Sequence, residues 1–353
     1  MSSATRLLPV PVAAVLLGLM SLATEGLAAP SRVIVLGDSL SDGGNAYQFS
    51  LDTGNYPDPP DYWPTTGGRF CNGLVWPEYL AAQWGLAIEP SRLVAGGTNL
   101  AYGGAQTGSG ASWLNTPNLN EQLAGYLQSG ATITGSERFI IWAGANDVFD
   151  SLWEYAISGD SADLPPTRIP GWVANLCGLV RTLHDEGARD VMLLNLPPLG
   201  KTPYFLDPLT TGLLDGWSAD FNAALSRGLA ELRPDLGGTT VREIDVFALF
   251  NEIVEVPEAR PRYGLPLDLN VTDPLVDHLS EPGVDPTKYM FWDSAHPTTV
   301  IHAALARVIP EPSSMALLLA GAIVAGGRVW RKQRLCSRGE PPLRTPPARP
   351  LRR

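Results

Sequence analysis

The chain has 353 residues, a formal net charge of −11 and 44% hydrophobic residues. That is length for one large domain or two small ones, with enough apolar residues for a substantial core. Residues 30–309 hold 33 acidic and 15 basic residues, a net of −18, which argues against a nucleic acid as partner.

Residues 1–29 read as a secretory signal: Arg6, a mostly apolar run from Val10 to Met20, and the small residues of Gly26-Leu27-Ala28-Ala29. Export would suit the acidic body and would permit a disulfide. Of the three cysteines, Cys336 lies in a basic tail and Cys71 and Cys177 in the body; their pairing is left open by the sequence.

Val33-Ile34-Val35-Leu36 runs straight into Gly37-Asp38-Ser39. A short apolar run ending in turn residues reads as a buried parallel strand. In open α/β sheets ligands sit at the carboxyl ends of the strands, so Ser39 stands where a nucleophile would. A serine hydroxyl also needs a base and oxyanion donors. A Gly-, Pro- and Asp-rich loop covers 43–68, and Leu74 to Ala81 reads as a short amphipathic helix. Leu93-Val94-Ala95 reads as a weak strand running into the small residues of 96–105, where backbone could approach a ligand closely. Asn118 with Glu121 fits a capping-box start to a helix ending near Gln128.

Residues 138–143 form a strand ending in Gly144-Ala145-Asn146-Asp147. Trp172, Val173, Leu176, Leu179, Val180 and Leu183 keep a helical period, stopped near Gly187. A strand at 190–195, a helix marked by Trp217, Phe221, Leu225, Leu229 and Leu232, a strand at 239–244 and a short helix at 247–254 follow. Residues 257–289 read as a solvated loop whose acids match no calcium-loop pattern. His296-Pro297 opens a last helix to about Val308. Strand and helix alternate about five times, which argues a parallel sheet covered on both faces.

There are four histidines. His184 reads as solvated surface, His278 as part of the acidic loop, His302 as core or a support for other groups. His296 follows Asp293 by three residues on a turn, where the carboxylate can fix the imidazole tautomer and stabilise its cation. Asn146 and Gly104, at two polar turns, could supply neutral N–H donors beside the backbone N–H of Ser39. Gly103 competes with Gly104 for that role.

Four blocks, Gly37-Asp38-Ser39-Leu40-Ser41-Asp42, Gly104, Gly144-Ala145-Asn146-Asp147 and Asp293-Ser294-Ala295-His296, resemble those of the GDSL (SGNH) hydrolases in the same order. The segments at 69–76 and 291–299 resemble the branch of plant GDSL lipases and bacterial lecithinase/hemolysin-like esterases. The resemblance implies a flavodoxin-like three-layer α/β/α fold with a roughly five-stranded parallel sheet. It implies an esterase or lipase that hydrolyses a small-molecule or lipid acyl ester through an acyl-serine with no metal or cofactor. Ser39 would be nucleophile, His296 base and acid, and Asp293 its orienter. Ser39, Gly104 and Asn146 would form the oxyanion hole. The G-x-S-x-G elbow of α/β-hydrolases is not met, because Ser41 stands at its second glycine.

Pro310-Glu311-Pro312 precedes an apolar run of 13 residues, Met315 to Gly327, and then Arg328, Arg331, Lys332 and Arg334. The run is short of the roughly 20 residues a spanning helix needs. It resembles a PEP-CTERM sorting signal of Gram-negative bacteria, which would be cut by an exosortase-type sorting protease after transient contact with the inner membrane. The chain is therefore divided into a signal peptide at 1–29, a hydrolase domain at 30–309, a sorting segment at 310–334 and a disordered basic tail at 335–353. The expected place is the outer surface or matrix. A non-catalytic exopolysaccharide-associated matrix protein on a hydrolase fold, and a polysaccharide O-acetylesterase or acyltransferase, are the competing readings. Pocket walls fall in loops at 43–68, 150–171, 200–216 and 257–290, with Trp153, Trp172, Tyr204, Phe205 and Trp217 as apolar wall material or core.

Overall fold

Four apolar runs build the central sheet of the computed structural model: β1 (Val33–Gly37), β2 (Arg138–Trp142), β3 (Asp190–Leu194) and β4 (Thr240–Ile244). They lie parallel in the order β1-β2-β3-β4, with Gly37 opposite Trp142 and Leu194 opposite Ile244. All carboxyl ends therefore share one edge. The structure describes residues 30–56 and 59–309; the expected signal peptide, sorting segment and basic tail lie outside the described residues.

Alternate side chains of a strand point to opposite faces, and the core divides accordingly. Ile34, Leu36, Phe139, Ile141, Val191 and Leu193 pack with α4 (Leu119–Gln128), α6 (Pro165–Asp185) and α7 (Pro208–Leu232). Val33, Val35, Ile140, Met192 and Leu194 pack with α3 (Trp76–Gln83), α8 (Val246–Glu255) and α9 (Thr299–Val308). This is a three-layer α/β/α arrangement, as expected. The helical periods hold: Val173, Leu176, Leu179, Val180 and Leu183 are buried on α6, and Trp217, Phe221, Leu225, Leu229 and Leu232 on α7. The remaining α-helices among the described residues are α1 (Asn45–Thr53), α2 (Trp63–Thr66) and α5 (Ala145–Ser158).

Several details differ from the sequence reading. Leu93 and Val94 are exposed loop residues. The chain beside β1 is instead 98–102: Val35 N–H donates to Thr98, Leu100 N–H to Val35 and Tyr102 N–H to Gly37, at 2.9, 2.8 and 3.1 Å. The outer polar edge of β1 needs backbone partners wherever they come from, so this polar segment takes the place of a fifth strand. Residues 257–289 are not simply loop. They contain β5 (Asn270–Pro274), which pairs in parallel with β6 (Tyr289–Phe291). Asn118 precedes α4, but its side-chain oxygen accepts the Gln106 N–H at 2.8 Å and caps no helix end. The last helix begins at Thr299, because His296 is held in a turn by Trp292 N–H donating to its carbonyl at 2.7 Å.

One buried side chain links this packing to the end of β1. Gln122 of α4, 4% exposed, accepts Gly37 N–H at 3.0 Å and donates to Gly37 carbonyl at 2.8 Å. Gln122→Leu leaves the Gly37 N–H unpaired in the core directly before Asp38-Ser39, while the Gly37 carbonyl keeps the Tyr102 N–H. It should cost about 1–3 kcal/mol, read as a lower denaturant midpoint at unchanged slope; an unchanged midpoint would show that the pairing contributes nothing.

Candidate active site

Ser39 sits where β1 ends. The turn is closed by Ser41 N–H and Asp42 N–H donating to the Asp38 carbonyl at 3.0 and 3.1 Å, and by Leu40 N–H donating to the Asp38 side chain at 3.0 Å. This leaves Ser39 partly exposed above the sheet edge. Its hydroxyl lies 2.8 Å from His296 Nε2. The Nδ1 of that imidazole is 2.9 Å from both carboxylate oxygens of Asp293. Asp293 is fixed by its own turn: Oδ1 accepts the N–H groups of Ala295 and His296 at 2.9 and 2.8 Å. The tautomer follows, with Nδ1–H donating to the carboxylate and Nε2 free to accept the serine proton.

Burial alone would raise the Asp293 pKa, but the His296 charge and hydrogen bond and the two backbone donors hold it at about 2. Burial also opposes the His296 cation. The carboxylate of Asp293, with a smaller contribution from Asp38, outweighs this and raises the imidazole above its ordinary 6.5. Nearby His302 is buried on α9, and burial with the His296 charge pushes it down to about 3. It is neutral core, as its sequence position suggested. His184 is not simply solvated: Nδ1 lies 2.8 Å from Thr239 Oγ1. His278 pairs with Glu281 away from the site. Cys71 and Cys177 are both free.

The candidate oxyanion donors differ in what already occupies them. Gly103 N–H donates to Asp42 Oδ2 at 2.9 Å, so that donor is taken. No acceptor among the described residues takes the N–H of Gly104 or of Ser39. Gly104 adopts φ +81, and a Cβ there would lie 2.5 Å from Leu114 Cδ1, so both backbone and space require glycine. Asn146 opens α5, and its side-chain amide donates to Ala105 carbonyl at 3.0 Å. That bond uses one amide hydrogen and leaves the second available. It also ties Asn146 to the residue after Gly104. Two further bonds fix the same loop to α5: Thr107 Oγ1 to Asp147 at 2.7 Å and Gln106 Nε2 to Asp150 at 2.6 Å. Asp147 is buried, which raises it to about 7 against these donors.

Asp42 accepts the N–H groups of Gly44, Asn45 and Ala46, as well as that of Gly103, at 2.6–3.0 Å. Burial pushes its carboxyl up to about 6, and the four donors favour the anion. It thereby locks the Ser39 turn to the glycine turn. Nothing local in the sequence marks Asp42 for this role, since its fourth partner is 61 residues away.

A cavity of about 140 Å³ opens at Ser39, Asn146 and His296. Its apolar walls include Phe149, Pro197, Leu199, Phe250 and Phe291. The five aromatics offered as wall material do not line it. Trp217 is core, Trp172 is half-buried against the same core, Trp153 and Tyr204 are exposed at 69% and 70%, and Phe205 stacks on Phe149, ring centroids 5.6 Å apart. A hydroxyl against a polarised imidazole, unpaired N–H donors and an apolar cavity together suit nucleophilic attack on a carbonyl and stabilisation of the resulting oxyanion.

Residues 33–309 match the GDSL-like lipase/acylhydrolase family. The chain is 27% identical over 329 residues to a GDSL esterase/lipase of Arabidopsis thaliana, covering 78% of this chain and 84% of that one. It is 28% identical to the phosphatidylcholine-sterol acyltransferase of Aeromonas hydrophila, covering 82% and 93%. It is 26% identical to the thermolabile hemolysin of Vibrio parahaemolyticus, covering 80% of this chain and 64% of the hemolysin. An acetylxylan esterase structure from Geobacillus stearothermophilus is similar over 80% of this chain and 93% of that one, at 16% identity and a TM-score of 0.41. With the family matched across nearly the whole described unit, the chain belongs to the GDSL-like lipase/acylhydrolases and is a hydrolase of ester bonds.

Proposed function

We propose that this protein is an exported serine esterase that cleaves short acyl esters through an acyl-serine at Ser39. The observation that carries the reading is the unbroken line from Asp293 through His296 to the Ser39 hydroxyl, with bonds of 2.9 and 2.8 Å. His296 takes the Ser39 proton as Oγ attacks the ester carbonyl. The oxyanion is held by the N–H groups of Ser39 and Gly104 and by the Asn146 amide. His296 then gives the proton to the leaving alcohol, and water repeats the cycle to free the acid. Because the base form of His296 is needed and its pKa is raised, kcat/KM should fall as pH drops through a value above 6.5.

The cavity size supports a small acyl group. A dry engineered cavity of about 150 Å³ holds one benzene ring, so about 140 Å³ suits an acyl chain of up to about six carbons. Acetyl groups on a glycan fall in this class, and an alcohol could replace water as acceptor. The assembled nucleophile favours this reading over a non-catalytic matrix protein.

The export half of the proposal rests on residues 1–29 and 310–334. The sorting segment would bring the chain to a sorting protease after brief membrane contact. No helix among the described residues is long and apolar enough to cross a membrane.

Ser39→Ala should remove turnover of an activated ester by about 10⁶-fold and abolish labelling by a fluorophosphonate probe; Asn146→Ala should cost about 10²–10³ in kcat. Activity or labelling surviving Ser39→Ala overturns the serine mechanism, and an unchanged Asn146→Ala rate removes Asn146 from the oxyanion hole. Across p-nitrophenyl esters of increasing chain length, kcat/KM should peak at or below about six carbons; a peak at long chains would refute the short-acyl assignment. A chain cut to residues 30–309 should fold and keep full activity. In a Gram-negative host the surface-located protein should end near residue 310 by mass spectrometry, and peptides from 335–353 recovered there would contradict the sorting role.

A further inference from the structure

Asp293 receives one donor that comes from neither its own turn nor the histidine. The Tyr62 hydroxyl donates to Asp293 Oδ2 at 2.8 Å across 231 residues of sequence. Oδ1 already holds the two backbone N–H groups of its turn. Oδ2 is held by His296 Nδ1 and Tyr62 alone among the hydrogen bonds formed within the described residues. The phenol keeps its proton and donates to the carboxylate, because burial and the Asp293 charge push its own titration upward.

The segment carrying Tyr62 grips the histidine turn at further points. Tyr62 packs edge-on against Trp292, ring centroids 5.3 Å apart. Its neighbour Trp63 is fully buried and packs on Phe70 at 5.2 Å, and Phe70 lies 5.0 Å from the His296 ring. Asn72 Oδ1 accepts the Thr299 N–H at 2.9 Å at the start of α9. One excursion of the chain between β1 and α3 therefore touches Asp293, His296 and the helix behind them.

We propose that Tyr62 is a positioning residue for the Ser39–His296–Asp293 unit, holding Asp293 Oδ2 in place and taking a share of its charge. The proposal rests on the esterase reading above. A hydrogen-bond donor to a carboxylate stabilises the anion and weakens its pull on a neighbouring cation. Removing the Tyr62 hydroxyl leaves more charge on Oδ2 facing Nδ1, so His296 should keep its proton to higher pH. The carboxylate also loses its external anchor, so the imidazole should be less well aligned on Ser39. The other groups bearing on this pair are Asp38 at the end of β1, His302 on α9, Cys71 beside Asp293 and Tyr56 beside Tyr62. All of these stay in place when only the phenolic oxygen is removed.

The test is Tyr62→Phe in the full chain, which keeps the ring against Trp292. kcat on an activated short-chain ester should fall roughly tenfold with KM within about twofold. The acid limb of kcat/KM, and the titration of the His296 ring protons followed by NMR, should both move up by about half a pH unit. Unchanged kcat, or a fall in kcat with an unmoved His296 titration, would overturn the proposal, the second because a merely structural loss leaves the imidazole untouched. If the wild-type chain hydrolyses no ester, the functional reading fails on its own account. The NMR titration then decides the Tyr62 assignment without it: an upward move supports it and an unmoved titration overturns it.

Discussion

The hydrogen bond between Ser39 Oγ and His296 Nε2 joins two turns 257 residues apart, and the rest of the structure serves to hold those turns together. One turn sits at the end of β1, the other between β6 and α9. Ser39 is placed by the sheet through Gly37, by Gln122 from below and by Asp42 from the side. His296 is placed by Asp293 and by the Trp292–His296 backbone bond. Side chains that pack α3 and α9 against the same face of the sheet bring the two ends into one frame. A shift of about 1 Å between the turns would break the proton path, an error large enough to cost about 10² in rate.

Buried carboxylates carry much of this positioning. Asp42 and Asp147 are buried and Asp293 nearly so; Asp42 and Asp147 each accept a backbone N–H from a distant loop, and Asp293 accepts those of its own turn. An unpaired buried carboxylate would cost several kcal/mol or take up a proton. Satisfied ones fix loops that have little apolar packing of their own. Their satisfaction also decides the chemistry. Asp42 takes the Gly103 N–H, so of the two glycines only Gly104 keeps an N–H free among the described residues, the donor proposed above for the oxyanion. Two adjacent glycines that look equivalent along the chain are thus made different by a carboxylate 61 residues away.

The legible parts of the sequence were those whose signals are local. Val33 to Leu36 and Phe139 to Trp142 are buried on both faces, so each reads as an unbroken apolar run. The amphipathic stripes of α6 and α7 read correctly because 3.6-residue periodicity is fixed within each helix. Asp293 and His296 are three residues apart on one turn, so their pairing could be inferred from spacing. What escaped were long-range consequences. The strand-like path of 98–102 is dictated by the open edge of β1, and no β-propensity in Gly96-Gly97-Thr98-Asn99 announces it. Asn118 has the residue type of a cap but is drawn to Gln106 by the loop above it. The cavity walls come from Phe149, Leu199 and Phe250 on three separate elements, so exposed or core aromatics such as Trp153 and Trp217 were equally plausible beforehand. Tyr62 is one tyrosine of ten in the chain, and only the fold brings it to Asp293.

The central claim is that Ser39 becomes acylated during turnover, and intermediate trapping reads it most directly. Full-length protein mixed with a slowly deacylating short-chain ester, quenched in acid at the millisecond to second scale and digested, is analysed by mass spectrometry. The account predicts one added acyl mass on the peptide containing Ser39, forming with the burst of released alcohol and decaying at the steady-state rate. Alcohol release with no adduct, or an adduct on another residue, would contradict it.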